Sequence, residues 1–206
     1  MSNILCPKLD EILIEKKELD SDFISNSYFC NVNFSSYYDY LEIRGSNFVK
    51  CDLSKAIFQG VDITNSCFDG CNFSNLKLIG RTYQQVSFIN CNLVGLDFSD
   101  SYLENVTFSN CSLSYSNFSG CNLKNISFSS CNMSYSSFNF VKIKNVLFEE
   151  CDLSKVEFYK SNLKELDFTS CNIDGVMVNI ENIKGLKVNM EQAIYFASLL
   201  GLNIEF

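Results

Sequence analysis

The chain has 206 residues, a formal charge of −8, 47% hydrophobic residues, eleven cysteines and no histidine. An acidic chain is poorly suited to neutralising nucleic-acid phosphates, and without histidine the ordinary nucleophile–histidine pair cannot be built. No apolar run reaches roughly 18 residues and no basic start precedes an apolar stretch, so neither a membrane span nor a secretory leader is expected.

Residues 1–22 mix charged and aliphatic side chains, as in Leu9-Asp10-Glu11-Ile12-Leu13-Ile14-Glu15. They are expected to form an N-terminal cap, as a strand or a short helix. Phe29 and Phe34 lie five apart but Phe34 and Ile43 lie nine apart. One residue of a period-five pattern is therefore missing, and the aromatic stretch Tyr37-Tyr38-Asp39-Tyr40 is where the gap is expected.

From Ile43 to Val188 every fifth residue is apolar or Tyr, beginning Ile43, Phe48, Leu53, Phe58, Ile63 and Phe68. Two residues before each comes a small position occupied mostly by Ser, Cys, Ala or Val, and between the two a polar one rich in Asn and Asp. A period of five fits neither a helix nor a flat strand. A chain that turns a corner after each pentapeptide keeps the fifth residue inside on every side. Cysteines at 51, 71, 91, 111, 131, 151 and 171 put the full coil at 20 residues, hence four sides. Parallel coils about 4.8 Å apart then stack like on like. The four inward ladders run through Phe48 to Phe168, Phe58 to Val178, Leu53 to Ile173 and Ile63 to Ile183, and leave no room inside for a ligand.

The formula stands as Cys91-Asn92-Leu93, Cys121-Asn122-Leu123, Cys151-Asp152-Leu153 and Ser161-Asn162-Leu163, and it resembles the A(D/N)LXX motif of pentapeptide-repeat proteins. The resemblance covers residues 23–188 and implies an all-β fold, a right-handed quadrilateral parallel β-helix. The tail, Gly185-Leu186-Lys187-Val188 with Glu191-Gln192-Ala193-Ile194-Tyr195, is similar to that of the Qnr and MfpA quinolone-resistance proteins, above all the chromosomal Qnr-like proteins of Gram-positive bacteria. That likeness implies a C-terminal helix and strand over 189–206 that pair two rods into a homodimer. It further implies a cytoplasmic, non-enzymatic mimic of DNA that binds DNA gyrase or topoisomerase IV. A general protein-interaction scaffold is the alternative. Unlike many plasmid-borne Qnr proteins, this chain has no loop interrupting the register.

In the tail, Asn189 with Gln192 three residues on is a capping-box start and Gly201 a stop. Met190, Ala193, Ile194, Ala197 and Leu200 make one apolar stripe, while Phe196, Leu199 and Leu202 extend beyond it. The stripe is expected to cover the coil end. Dimer contacts are expected from Ile194, Phe196, Ala197, Leu199, Leu200 and Leu202.

Eight of the cysteines occupy the small inward position and read as stacked hydrophobes with free thiols, which suits a reducing cytoplasm. No metal, cofactor or catalytic group is expected. Charge is uneven: residues 1–42 carry −5, residues 43–188 carry −1 and the last 18 carry −2. Glu149, Glu150, Asp152, Glu157, Glu165, Asp167 and Asp174 make the coils beside the expected dimer seam acidic, and form the expected partner-binding surface. Arg81 stands at an inward position, where a local distortion is expected to let it reach solvent.

Overall fold

In the computed structural model, which describes residues 4–202, the chain winds as a right-handed quadrilateral parallel β-helix with one short helix at its end. The strands are β1 (Ile14–Glu15), β2 (Phe23–Ser25), β3 (Ser27–Cys30), β4 (Tyr37–Tyr38), β5 (Leu41–Arg44), β6 (Asn47–Val49), β7 (Ile57–Phe58), β8 (Val61–Asp69), β9 (Thr82–Ile89), β10 (Tyr102–Ser109), β11 (Asn122–Ser129) and β12 (Lys142–Glu149). Every pairing among them is parallel, and from β5 onward it joins residue i to residue i+20, as in Leu103 with Leu123 and Phe108 with Phe128.

The corners explain the period. From Asn65 to Glu165 every fifth residue is left-handed, with φ between 47° and 73°. Asn and Gly hold many of these positions, where they are least strained, but Tyr115, Tyr135 and Phe140 are held there too. Such a residue costs a non-glycine side chain on the order of 1–2 kcal/mol. The cost is offset because corner backbone groups bond along the rod, as when the Asn90 N–H donates to the Ser109 carbonyl (2.9 Å).

The four sides are not alike. We number them by their inward residues in one coil: face I (Ile63), face II (Phe68), face III (Phe73) and face IV (Leu78). Faces I and II are crossed by the long strands β8 to β12. Faces III and IV end in tight turns, such as Leu96 N–H to Leu93 C=O (3.1 Å), with Gly95 left-handed at the third position as a type II turn requires. Isolated bridges such as Asn92 with Ser112 link these faces from coil to coil.

The interior is filled by the ladders. On face II, Phe88, Phe108 and Phe128 stack with ring centroids 5.2 and 4.8 Å apart and interplanar angles of 6° and 7°. Across the interior, Phe108 meets Phe118 edge to face at 6.1 Å. Each pair contributes about 0.5–1.5 kcal/mol beyond its buried area. The small inward position has its own logic. There the Cys91 thiol donates to the Phe68 carbonyl (3.4 Å) and the Ser161 hydroxyl to the Phe138 carbonyl (2.6 Å), so a short donor satisfies the coil beneath.

Three departures from the expected pattern have physical causes. The first coil is one residue short, but the residue is dropped at Ser35-Ser36, ahead of the aromatic stretch. Asn33 pairs with Asp52 nineteen residues on, whereas Tyr37 already pairs with Ile57 at the regular interval. This keeps Tyr38 stacked on Phe58 (5.2 Å). At the N-terminus, β1 extends the sheet by pairing with β3, while the residues before it run back along the side of the rod. Asn65 clamps that strap, accepting from the Lys8 N–H (2.6 Å) and donating to the Lys8 carbonyl (2.7 Å), and the Leu5 N–H reaches the Asn105 side chain. Finally, Arg81 turns outward over Gly60 and donates to the Gln59 carbonyl (3.0 Å). Its guanidinium fills the space where a side chain at residue 60 would begin.

Two stability measurements test this packing. Gly60→Ala should cost about 1 kcal/mol in urea denaturation, the worth of the displaced Arg81 hydrogen bond, and close to nothing in an Arg81→Ser background. The buried hydroxyls of Ser116 and Ser136 have no hydrogen-bond partner. Ser136→Ala should therefore leave stability unchanged or raise it by up to about 1 kcal/mol, while Phe118→Ala in the same coils should cost roughly 3–5 kcal/mol.

Candidate functional surfaces

The rod's C-terminal end is closed by helix α1 (Met190–Leu199). Asn189 and Gln192 form the expected capping box, each side chain accepting from the other's backbone N–H at 2.9 Å. Gln192 also has a second role that its capping position does not reveal. Its Nε2 donates to the carbonyls of Phe168 (2.7 Å) and Cys171 (2.8 Å), which ties the helix across the last coil. The Tyr195 hydroxyl adds a bond to the Val176 carbonyl (2.7 Å).

This anchoring selects the buried face. Phe196, one turn after Gln192, is turned into the chain's own coil end and only 7% exposed, so it is not a free contact for a second copy as expected. The expected stripe is corrected as well: Met190 is 85% exposed, and Leu200 also faces out. Leu199 and Leu202 are exposed, and Ile194 and Ala197 are half-buried. Beside them lies an open apolar groove of about 270 Å³, lined by Ile183, Leu186, Val188, Ala193, Ala197 and Leu200 with Phe196 at its base. The strand expected after the helix falls at 203–206, outside the described residues.

The seven acidic residues are not gathered on one side. Glu149, Glu150 and Asp167 lie on face II, Asp152 and Asp174 on face III, Glu157 on face IV and Glu165 at the corner of faces I and II. Asp152 is held by Ser154 and Asn172, and Glu157 accepts from Asn139 (2.8 Å). The Thr169 hydroxyl and N–H hold the Asp167 carboxyl below the usual carboxylate range, with Lys187 3.8 Å away. The acids thus form a band round the rod. Face I of the same coils carries a row of lysines instead: Lys124, Lys144, Lys164 and Lys184, one per coil, with Lys142 beside it. Their interval of 20 was legible in the sequence, yet only the folded coil shows that they share a face.

Two family models cover more than half of the chain, the pentapeptide repeat region matching residues 81–158 and pentapeptide repeats (8 copies) matching residues 43–75. The chain belongs to the pentapeptide-repeat family. No curated protein matches the sequence. Among solved structures, a trypsin-treated variant of QnrB1, a plasmid-mediated fluoroquinolone resistance protein, is 19% identical with a TM-score of 0.50. The match covers 87% of this chain and 100% of that one. HetL, a pentapeptide repeat protein involved in heterocyst differentiation regulation from the cyanobacterium Nostoc sp. strain PCC 7120, is 14% identical. It has a TM-score of 0.35, with 84% of this chain and 89% of that one covered. At these identities the likeness concerns the fold.

This pentapeptide-repeat protein also carries an aromatic row along the edges of face IV. Tyr115 stacks on Tyr135 (5.0 Å), Lys155 Nζ lies over the Tyr135 ring and donates to its hydroxyl (2.8 Å), and Lys160 covers Phe140. No helix among the described residues is long and apolar enough to cross a membrane.

All eleven cysteines are free, eight buried and three, Cys6, Cys30 and Cys67, at least partly exposed. Burial pushes the Cys121 thiol up to about 12. A thiol whose folded pKa is raised stabilises the fold fully below its unfolded value, and that contribution is lost as pH rises. The urea midpoint under reducing conditions should therefore fall from about pH 8.5 upward. Cys121→Ser should flatten the fall, and at pH 8 only the three exposed thiols should react rapidly with an aromatic disulfide.

Proposed function

We propose that this protein acts as a homodimeric rod that binds a type II topoisomerase, DNA gyrase or topoisomerase IV, in place of DNA and reduces its poisoning by quinolones. The observation that carries the reading is the C-terminal end. Apolar surface from Met190, Leu199, Leu200 and Leu202 surrounds an open groove on the one rod end that a second copy would cover. Pairing there would bring two acidic bands together at the centre of a double-length rod. The net charge of −8 and the fold shared with the fluoroquinolone resistance protein QnrB1 agree with it.

The scaffold alternative draws on other surfaces, namely the lysine row of face I and the aromatic row of face IV. Neither has a part in imitating a phosphate backbone.

Sedimentation and supercoiling assays separate the two. Leu200→Glu, at an exposed position, should convert the dimer to a folded monomer. The wild-type protein should inhibit gyrase supercoiling or relieve a fluoroquinolone, and Glu149→Lys with Glu150→Lys should weaken that effect. A folded dimer without effect on either topoisomerase leaves the scaffold reading.

A further inference from the structure

Face IV has an opening between two of its coils. Residues 75–80 are tied to the coil after them by four backbone bonds: Asn75 N–H to Val94 C=O (2.9 Å), Leu78 N–H to Asp97 C=O (2.7 Å), Gly80 N–H to Ser99 C=O (2.9 Å) and Asp97 N–H back to Leu76 C=O (2.9 Å). The same four recur at each of the next three steps along the rod. One coil earlier, between residues 55–60 and 74–79, all four are missing. The corners give the cause. From Gly45 to Glu165 only residues 55 and 60 lack the left-handed conformation, and they bound this one stretch of face IV. The turn there still closes, Ala56 N–H to Leu53 C=O (2.9 Å), but its backbone groups are not aimed along the rod. The two coils stay stacked because both ends of the stretch are held, by Leu53 N–H to Asn72 C=O (2.8 Å) and by the Arg81 guanidinium on the Gln59 carbonyl (3.0 Å). The opening is therefore a window closed at both ends.

The window has a volume of about 460 Å³ and apolar walls of Ala56, Ile57, Phe58, Leu76 and Ile79. Phe58 is half-buried, whereas Phe98, Phe118 and Phe138, its equivalents in later coils, are fully buried. Ile57 and Ile79 are 58% and 43% exposed on either side of it. Backbone groups point into the same space. The N–H groups of Ile57 and Gln59 donate to the preceding coil, at Ser36 (3.1 Å) and Tyr38 (3.0 Å). In an extended strand the residue between them turns its N–H and C=O the other way, so those of Phe58 face the window. Across it stands Lys77, whose N–H lacks the bond that Asp97, Asn117, Ser137 and Glu157 make at its position. Lys77 is also the one charged side chain that lines the window, and among the described residues it forms no ion pair.

Apolar walls, a few convergent polar groups and one unpaired charge are what a small-molecule site is made of. The backbone on both sides offers donors and acceptors, which an amide satisfies with its own C=O and N–H. The exposed ammonium calls for an anion, and no carboxylate of the chain lines the window. The closed ends leave no path for a chain that continues in both directions. We propose that the window is a binding site for a small amide-bearing carboxylate, an N-acyl amino acid with an apolar side chain. Its amide takes up the backbone groups of Phe58 and Lys77, its apolar side chain lies against Ile57 and Ile79, and its carboxylate meets the Lys77 ammonium. Arg81, anomalous in the sequence as a charged residue at an inward position, holds one end of the window in place. The site is independent of the acidic band and of the C-terminal groove.

The test uses the full chain, isotope-labelled for amide resonances, with N-acetyl-L-leucine as the probe. In the free protein the Phe58 amide should exchange faster than that of Phe98, which is bonded to Asn117. The probe should bind saturably with a Kd of about 1 mM or tighter, shifting and protecting the amides of Phe58 and Lys77. N-Acetyl-L-leucinamide, which lacks the carboxylate, should bind roughly tenfold more weakly, and Lys77→Gln should weaken binding of the acid about as much while leaving the fold intact. Ile57→Asp with Ile79→Asp, both at exposed positions, should abolish binding. A Phe58 amide as slow as that of Phe98 would overturn the proposal, as would absence of a saturable shift up to about 10 mM. So would equal binding of acid and amide, or shifts confined to the C-terminal groove. Tighter binding of a pentapeptide ending in the same leucine would exclude a small molecule as the occupant.

Discussion

Everything in this rod depends on the left-handed residue that recurs every fifth position. It bends the chain through a corner at the one interval that returns a coil to its start after 20 residues, and so stacks each side chain on its own equivalent. The Phe ladder, the thiols reaching down to the preceding coil and the hydrogen bonds along the axis are all products of that registry. A corner held by Tyr or Phe is locally unfavourable, and it persists because its neighbours above and below bond the same backbone. Stability therefore lives between coils rather than within them.

The repeat, the number of sides and the identity of the inward residues were legible because a period of five admits few other geometries. The division into two strand faces and two turn faces was not, since all four share one formula. The difference lies in whether an i to i+3 bond closes around the corner residue, as Leu96 N–H to Leu93 C=O does around Gly95 and none does around Asn105. Nor could periodicity orient α1. Its apolar residues surround it, and the choice was made by the Gln192 side chain, whose Nε2 reaches the carbonyls of Phe168 and Cys171. Phe196 went inward with it. In the first coil the length of the gap was readable and its place was not, because Ser35-Ser36 carries no signal that a corner is being skipped.

Surface charge taught a different lesson. Counted along the chain, the coils from 149 to 181 look acidic; folded, their acids ring three sides and a corner, with Lys155 and Lys160 among them, while on the fourth side Lys164 lines up with Lys144 and Lys184 of the neighbouring coils. Spacing by whole coils converts distant residues into neighbours, so the relevant unit for a binding surface is a column rather than a segment. Each face of this rod in that sense presents its own surface to solvent.

The strap clamped by Asn65 bears on how the rod can come apart. A solenoid normally frays from its ends, since a terminal coil touches only one neighbour. Here Lys8 is fastened to a residue 57 positions later, while strand β1, next in the chain, pairs with the first coil beside Asn26. The strap thus runs along one corner of the rod and ties the outermost coil to a corner two coils farther in. Fraying at this end has to break that clamp as well as the bonds between neighbouring coils.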